Sequence, residues 1–241
     1  MIKFFRNKRR NLMEIGKTGK YFKYAIGEIF LVMIGILLAL QVNNWNEKRQ
    51  ERTSEINYLI GIKTDLESDI PTIELRINRI LQKISALHKI DSTFIPGRDI
   101  ETHDISIDTI NIEWMFNRGP SLRLIEGSYK ALTSNTAAGL IKNTQLHQSI
   151  QDLYEVKQPS TNSVYSDLKR REEHVGWKYA NELKNSNLQS FFIDNSNKKE
   201  VLADFEFYYR QQVLLCRQFM NKHDLMLKII DNINTELKQR N

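Results

Sequence analysis

The sequence predicts an all-α membrane protein, one N-terminal transmembrane helix followed by a periplasmic helical bundle. Three observations predict it. Residues 24–42 read YAIGEIFLVMIGILLALQV, with Glu28 as the only charge. The 23 residues before them hold eight basic side chains and one acid, Glu14. Beyond residue 58, apolar residues recur at three- and four-residue steps, and only four prolines and ten glycines interrupt the 241 residues.

Lys3, Arg6, Lys8, Arg9, Arg10, Lys17, Lys20 and Lys23 against Glu14 give residues 1–23 a charge of +7. The whole chain carries +6, so residues 24–241 together sum to −1. A nucleic-acid surface needs clustered Lys and Arg on the main domain. The basic balance instead belongs to a tail beside a membrane, and no nucleic-acid partner is expected. Cys216 is the only cysteine, which excludes an intrachain disulfide and a cysteine-based zinc site.

Residues 1–23 thus read as a basic cytoplasmic tail and residues 24–42 as the span. Nineteen helical residues cover roughly 28 Å, close to a hydrocarbon core of about 30 Å. Tyr21 and Tyr24 at one end and Trp45 at the other stand where amphipathic rings prefer the membrane interface. A cleaved signal peptide fits poorly, because Ala39 is followed by Leu40 and Gln41 and no small-x-small site follows. The +7 flank against +1 in residues 43–52 orients the N-terminus to the cytoplasm. The lipid bilayer is therefore the first expected partner.

The run KYFKYAIGEIFLVMIGILLALQVNNWNEKR resembles the N-terminal signature of a family of single-span proteins from Gram-negative bacteria, a domain of unknown function. LIEGSYKALTSNTAAGLIKNTQLHQSIQDLY is similar to that family's internal segment, where a helix, a small-residue turn and a helix restart follow one another. The resemblance implies a bacterial inner-membrane anchor with a periplasmic helical domain. It implies no activity and no catalytic residues.

Residues 43–58 read as a polar stalk, and residues 59–241 as the helical domain. Leu59, Ile62, Leu66 and Ile70 form an amphipathic stripe, Pro71 predicts a kink or restart, and Ile73, Ile77, Ile80, Ile84 and Leu87 continue in 4-3-4-3 steps. That spacing suits a bundle core or a short coiled coil. In residues 91–120, IPGRD and NRGPS signal turns, and Ile105, Ile107, Ile110 and Ile112 fit a strand or a helix. Pro120 opens a predicted helix over 121–134, which the small residues from Ser134 to Gly139 end. Asn143 caps the next helix, with Leu146, Ile150 and Leu153 on one face. Pro159 opens another, carrying Val164, Leu168, Val175, Tyr179 and Leu183. Residues 184–198 read as a polar turn around a Phe191-Phe192-Ile193 plug, and a long last helix covers 199–238.

No complete catalytic constellation emerges. Gly16-Lys17-Thr18 lacks the glycine a phosphate loop needs at position 11, which is Asn11. Ser166 and Lys169 make an S-x-x-K whose companion K-T-G stands only at Lys17-Thr18-Gly19, across the membrane. Cys216 and His223 share a helix face but stand about 10.5 Å apart along the axis, too far for one ion. His103-Asp104 is a bare loop pair. Arg170-Arg171 and Glu172-Glu173 read as a solvated helix face. No cofactor or metal is expected, and no enzyme.

Glu28 differs, because a carboxylate inside a span is costly. Either it snorkels toward Lys20 or Lys23, or it serves a contact. Glu28, Val32, Gly35 and Ala39 fall on one helix face, where Gly35 and Ala39 form a small-x-x-x-small pair that lets backbones approach. That face is a candidate for association with a second copy or another membrane subunit. The expected role is a membrane-anchored, non-enzymatic interaction or scaffolding protein. A ligand-sensing ectodomain and a subunit of a proton-coupled membrane complex, with Glu28 titrating, are the alternatives. The topology is tested with a cysteine placed at Arg49 on a Cys216→Ser background. It should react with a membrane-impermeant reagent from the periplasmic side, and labelling only after the inner membrane is permeabilised would contradict the orientation.

Overall fold

A computed structural model describes residues 18–107, 110, 112–116, 122–134, 139–185, 187–195 and 198–239. The described residues are all-helical in their regular structure, with no strand. The helices are α1 (Thr18–Ile90), α2 (Ile112–Phe116), α3 (Gly127–Thr133), α4 (Thr144–Gln151), α5 (Gln158–Lys178), α6 (Ala180–Asn185), α7 (Leu188–Asn195) and α8 (Lys199–Lys238). A π-helical turn, Asp152–Lys157, joins α4 to α5. The chain divides into two compact units, one ending at Ser54 and one running from Glu55 to Asn241.

In the first unit, a stretch of α1 is long and apolar enough to cross a membrane, and none of it is buried. Ile29, Leu31, Val32, Leu38 and Val42 are all exposed. A contiguous apolar surface of that kind needs an apolar solvent or a partner.

In the second unit, the isoleucine stripe of α1 enters the core as its period predicts. Leu59, Ile62, Leu66, Ile73, Ile84 and Leu87 are fully buried. α8 supplies the opposing face through Phe205, Tyr208, Cys216, Met226, Ile229 and Ile233, and α5 adds Leu168 and Val175. At one part of this core, rings interlock: Phe192 stands edge-on to Phe205 at 4.7 Å between centroids, and Phe94 stacks on Tyr209 at 5.2 Å. At the start of this unit the Glu55 carboxylate is buried and accepts the Lys142 amide at 2.7 Å. The stalk's last residues, 55–58, thus belong to the compact unit.

Several local expectations change. α1 runs through Pro71 without a restart. Tertiary contacts hold both sides of that proline, since Leu66, Asp69 and Ile73 are all buried. The helix expected over 121–134 is shorter. Pro120 lies outside the described residues, residues 122–126 are non-helical, and α3 begins at Gly127. The cause is α1, whose Asp69 accepts the Ile125 amide at 2.8 Å and whose Asp65 accepts that of Ser128 at 3.1 Å. Asp65 thereby satisfies a donor that the helix start leaves open, and Asp69 holds the extended residue just before its N-cap.

Residues 184–198 are not a turn around a plug: Leu188–Asn195 is helical, with Phe191 and Phe192 buried and Ile193 exposed. Of the 105–112 stretch, Ile105 and Ile107 lie outside any helix or strand, and α2 starts at Ile112. The Asn143 cap stands as expected, its side chain accepting the Leu146 amide at 3.1 Å. Pro159 lies near the start of α5, directly after the π turn. A proline has no amide hydrogen to return to the preceding turn, and the wider π register accommodates that loss. Gly97, at the predicted IPGRD turn, has φ +96°, and a Cβ there would also strike Arg217.

Lys222 is the least expected core residue. It is fully buried on α8, donates to Gln158 Oε1 at 2.6 Å, and lies beside the Phe219 ring. Burial lowers its pKa from 10.5 to about 8, against the pull of the Asp69 charge. The native state therefore releases this proton more readily than the unfolded chain does. Between about pH 8 and 10.5 the unfolded state binds more protons, so stability rises with pH. The penalty present below pH 8 amounts to about 3 kcal/mol at one pKa unit per 1.36 kcal/mol. Chemical denaturation of the full chain in detergent should show the wild type gaining about 2 kcal/mol on Lys222→Met between pH 8 and 10. A pH-independent difference between the two would contradict a charged, desolvated Lys222.

Candidate functional site

The association face read from the sequence lies in the first unit. Val32 is exposed, Glu28 is half-buried, and nothing stands within 4 Å of a Cβ built on Gly35. Ala39 is likewise exposed, so Val32, Gly35 and Ala39 are uncovered within one chain. Trp45 is exposed, with the Arg49 guanidinium 5.9 Å from its ring centre. The side chains of Tyr21 and Tyr24 lie outside the described part. Cys216 is buried, and burial raises its thiol to about 11, which makes it inert. His223 sits apart from it, 3.2 Å from Glu74. Ser166 donates to its own helix at the Asn162 carbonyl, 2.9 Å away. Among the described residues, no three His, Cys, Asp or Glu side chains are placed to hold a metal.

A concave site with converging chemistry lies in the second unit, where α1, α2, α5 and α8 line a cavity of about 200 Å³. Arg76, Arg79 and Lys83 reach it from α1, Trp114 from α2, Tyr165, Leu168, Lys169 and Glu172 from α5, and Gln212, Leu215 and Phe219 from α8. Helix geometry explains the α1 contribution. Residues 76, 80 and 83 stand four and three apart, so Arg76 and Lys83 flank Ile80 of the buried stripe on the same face. The volume falls below the roughly 300–1,000 Å³ typical of drug-sized ligands, so the occupant that fits is a small metabolite.

The floor is a buried polar cluster. Lys83 Nζ donates to Glu172 Oε1 at 3.3 Å. Gln212 Nε2 donates to the Tyr208 hydroxyl at 2.7 Å and lies 3.4 Å from Glu172 Oε1. The Tyr208 hydroxyl in turn donates to the Met115 carbonyl at 2.8 Å. Burial pushes the Lys83 ammonium below its ordinary pKa, while the Glu172 carboxylate pulls it back up. Burial, reinforced by Glu172, raises the Tyr208 phenol far above its usual range. Glu172 is 7% exposed, which corrects its reading as part of a solvated face. Of its neighbours, Arg170 pairs with Asp167 at the surface and Arg171 covers the Phe207 ring at 4.0 Å.

Two polar atoms of lining residues are buried without a hydrogen-bond partner: Arg76 Nε and Gln212 Oε1. The Gln212 amide cannot relieve this by flipping, because its oxygen would then face Glu172 Oε1. Such orphans each cost about 1–3 kcal/mol unless something fills them. Arg76, Arg79 and Lys169 also have no ion-pair partner among the described residues. Burial, then the neighbouring Arg79 charge, lowers the Arg76 pKa.

The local sequence does not single out this cavity: Lys169 stands in it as half of an S-x-x-K, and Arg76, Arg79 and Lys83 belong to no motif. The available signal was three cations at i, i+3 and i+7 beside an isoleucine stripe on a domain of near-zero charge. The sequence pattern of a family of unknown function, DUF6090, matches residues 28–209. That range holds the cavity residues of α1, α2 and α5 and ends before Gln212. No curated protein and no solved structure matches the chain.

Proposed function

The chain belongs to DUF6090, a family of unknown function, and we propose that it is a single-span anchor displaying a helical domain that captures a small ligand. In this reading the anchor sits in a bacterial inner membrane, N-terminus in the cytoplasm, domain in the periplasm. The domain acts by binding rather than by catalysis. The observation that carries it is one cavity lined by four cations, Arg76, Arg79, Lys83 and Lys169, against the single carboxylate Glu172, with Arg76, Arg79 and Lys169 making no ion pair among the described residues. A purely structural core gains nothing from gathering like charges around one space. The cavity thus favours the ligand-sensing alternative over scaffolding alone.

The exposed face with Val32, Gly35 and Ala39 supports a complementary role. In this reading a binding event passes to a second transmembrane helix beside the anchor. That helix belongs to another copy or another subunit, and the small residues permit the approach.

Binding is tested on the full chain in lipid nanodiscs with three probes of one size and different charge: 4-hydroxybenzoate, 4-hydroxybenzamide and tyramine. At tenfold excess over Kd, a ligand should stabilise the fold by about 1.4 kcal/mol, a Tm rise of about 3–6 °C. At least one probe should do so in the wild type and none in Leu215→Trp, which fills the cavity. If no probe shifts the wild type, the ligand-binding reading falls.

A further inference from the structure

We infer that the ligand of this cavity is a small organic anion: one carboxylate or phosphate head on an apolar, preferably aromatic, body. This rests on the ligand-binding reading and assigns the chemistry of its occupant. Two features of the cavity each exclude a class.

The first is charge. Four cations line the space against one carboxylate, Glu172, and that carboxylate is engaged by Lys83 at 3.3 Å. Arg76, Arg79 and Lys169 remain without ion pairs among the described residues. Arg79 and Lys169 are exposed and Arg76 is half-buried, which places the uncompensated charge toward the solvent-facing part of the site. A cationic ligand is repelled there, and a neutral one leaves the charges unopposed. Guanidinium groups are suited to carboxylate and phosphate oxygens, which they can grip through two parallel hydrogen bonds.

The second is the wall. Trp114, Leu168, Leu215 and Phe219 present apolar and ring surface that a naked inorganic ion would leave wet. An organic body behind the charged head removes that surface from water, and rings gain further from aromatic neighbours.

The test is isothermal titration of the detergent-solubilised full chain with 4-hydroxybenzoate, benzoate, 4-hydroxybenzamide and inorganic phosphate. We expect 4-hydroxybenzoate and benzoate each to bind at least about tenfold more tightly than 4-hydroxybenzamide and inorganic phosphate, one charge-assisted hydrogen bond accounting for such a factor. Arg79→Gln, an exposed change that spares the core, should weaken 4-hydroxybenzoate and benzoate and leave 4-hydroxybenzamide unaffected. If the neutral amide binds as well as the acid, with both lost in Leu215→Trp, the ligand-binding reading stands and the anion assignment is overturned. If inorganic phosphate matches 4-hydroxybenzoate, the organic body is overturned. Absence of binding by all four overturns this inference, and only the tyramine arm of the nanodisc test then remains to rescue the broader reading.

Discussion

The second unit depends on a buried ion pair. Lys83 on α1 and Glu172 on α5 meet at 3.3 Å with little exposure, and α8 closes over them through Tyr208 and Gln212. The Tyr208 hydroxyl then reaches the Met115 carbonyl of α2. Four helices are thereby tied to one carboxylate and its neighbours. The pair is not a simple gain in stability, since removing two charges from water costs several kcal/mol per ion and the Coulomb attraction offsets that only with further hydrogen bonds. The downward pull of burial on Lys83 expresses the same cost. What the pair supplies is register: any slip of α1 along α5 would leave a charge buried and unmatched.

That register shapes the cavity. Once Lys83 is committed to Glu172, the next turns of α1 carry Arg79 and Arg76 along the same edge, where no described acid meets them. Gln212 is committed in turn, its amide nitrogen to Tyr208, which leaves its oxygen without a donor. α1 thus serves twice. Its isoleucines build the core, and the cations between them line a space whose polar groups are incompletely satisfied. Elsewhere in the core, Lys222 finds Gln158 at 2.6 Å, so a buried cation in this domain is not left open by default.

How much of this was legible in the sequence follows from range. The stripe of α1, the length of α8 and the Asn143 cap depend on residues within a few positions of one another, and the structure places them as expected. The start of α3 does not. It is set by Asp65 and Asp69, 63 and 56 residues away from the amides they accept, and no local signal reports that. Pro71 is similar, because its cost is local while the packing that keeps α1 continuous is not. Glu172 shows the limit most clearly. A glutamate in the run Arg170-Arg171-Glu172-Glu173 has the same local pattern whether it faces water or a buried lysine, and the residue that decides, Lys83, lies 89 positions earlier. The cavity is assembled from four helices, so its chemistry appears only when they are brought together.

The most direct test is a double-mutant cycle on the full chain in detergent, with Lys83→Met, Glu172→Leu and the pair, measured by chemical denaturation. If the buried pair sets helix register, each single change leaves an uncompensated charge and costs about 3–5 kcal/mol. The double variant should then cost less than the sum of the two by at least about 2 kcal/mol. Strictly additive costs would mean that Lys83 and Glu172 do not act together, and the account of how the helices and their cavity are aligned would be wrong.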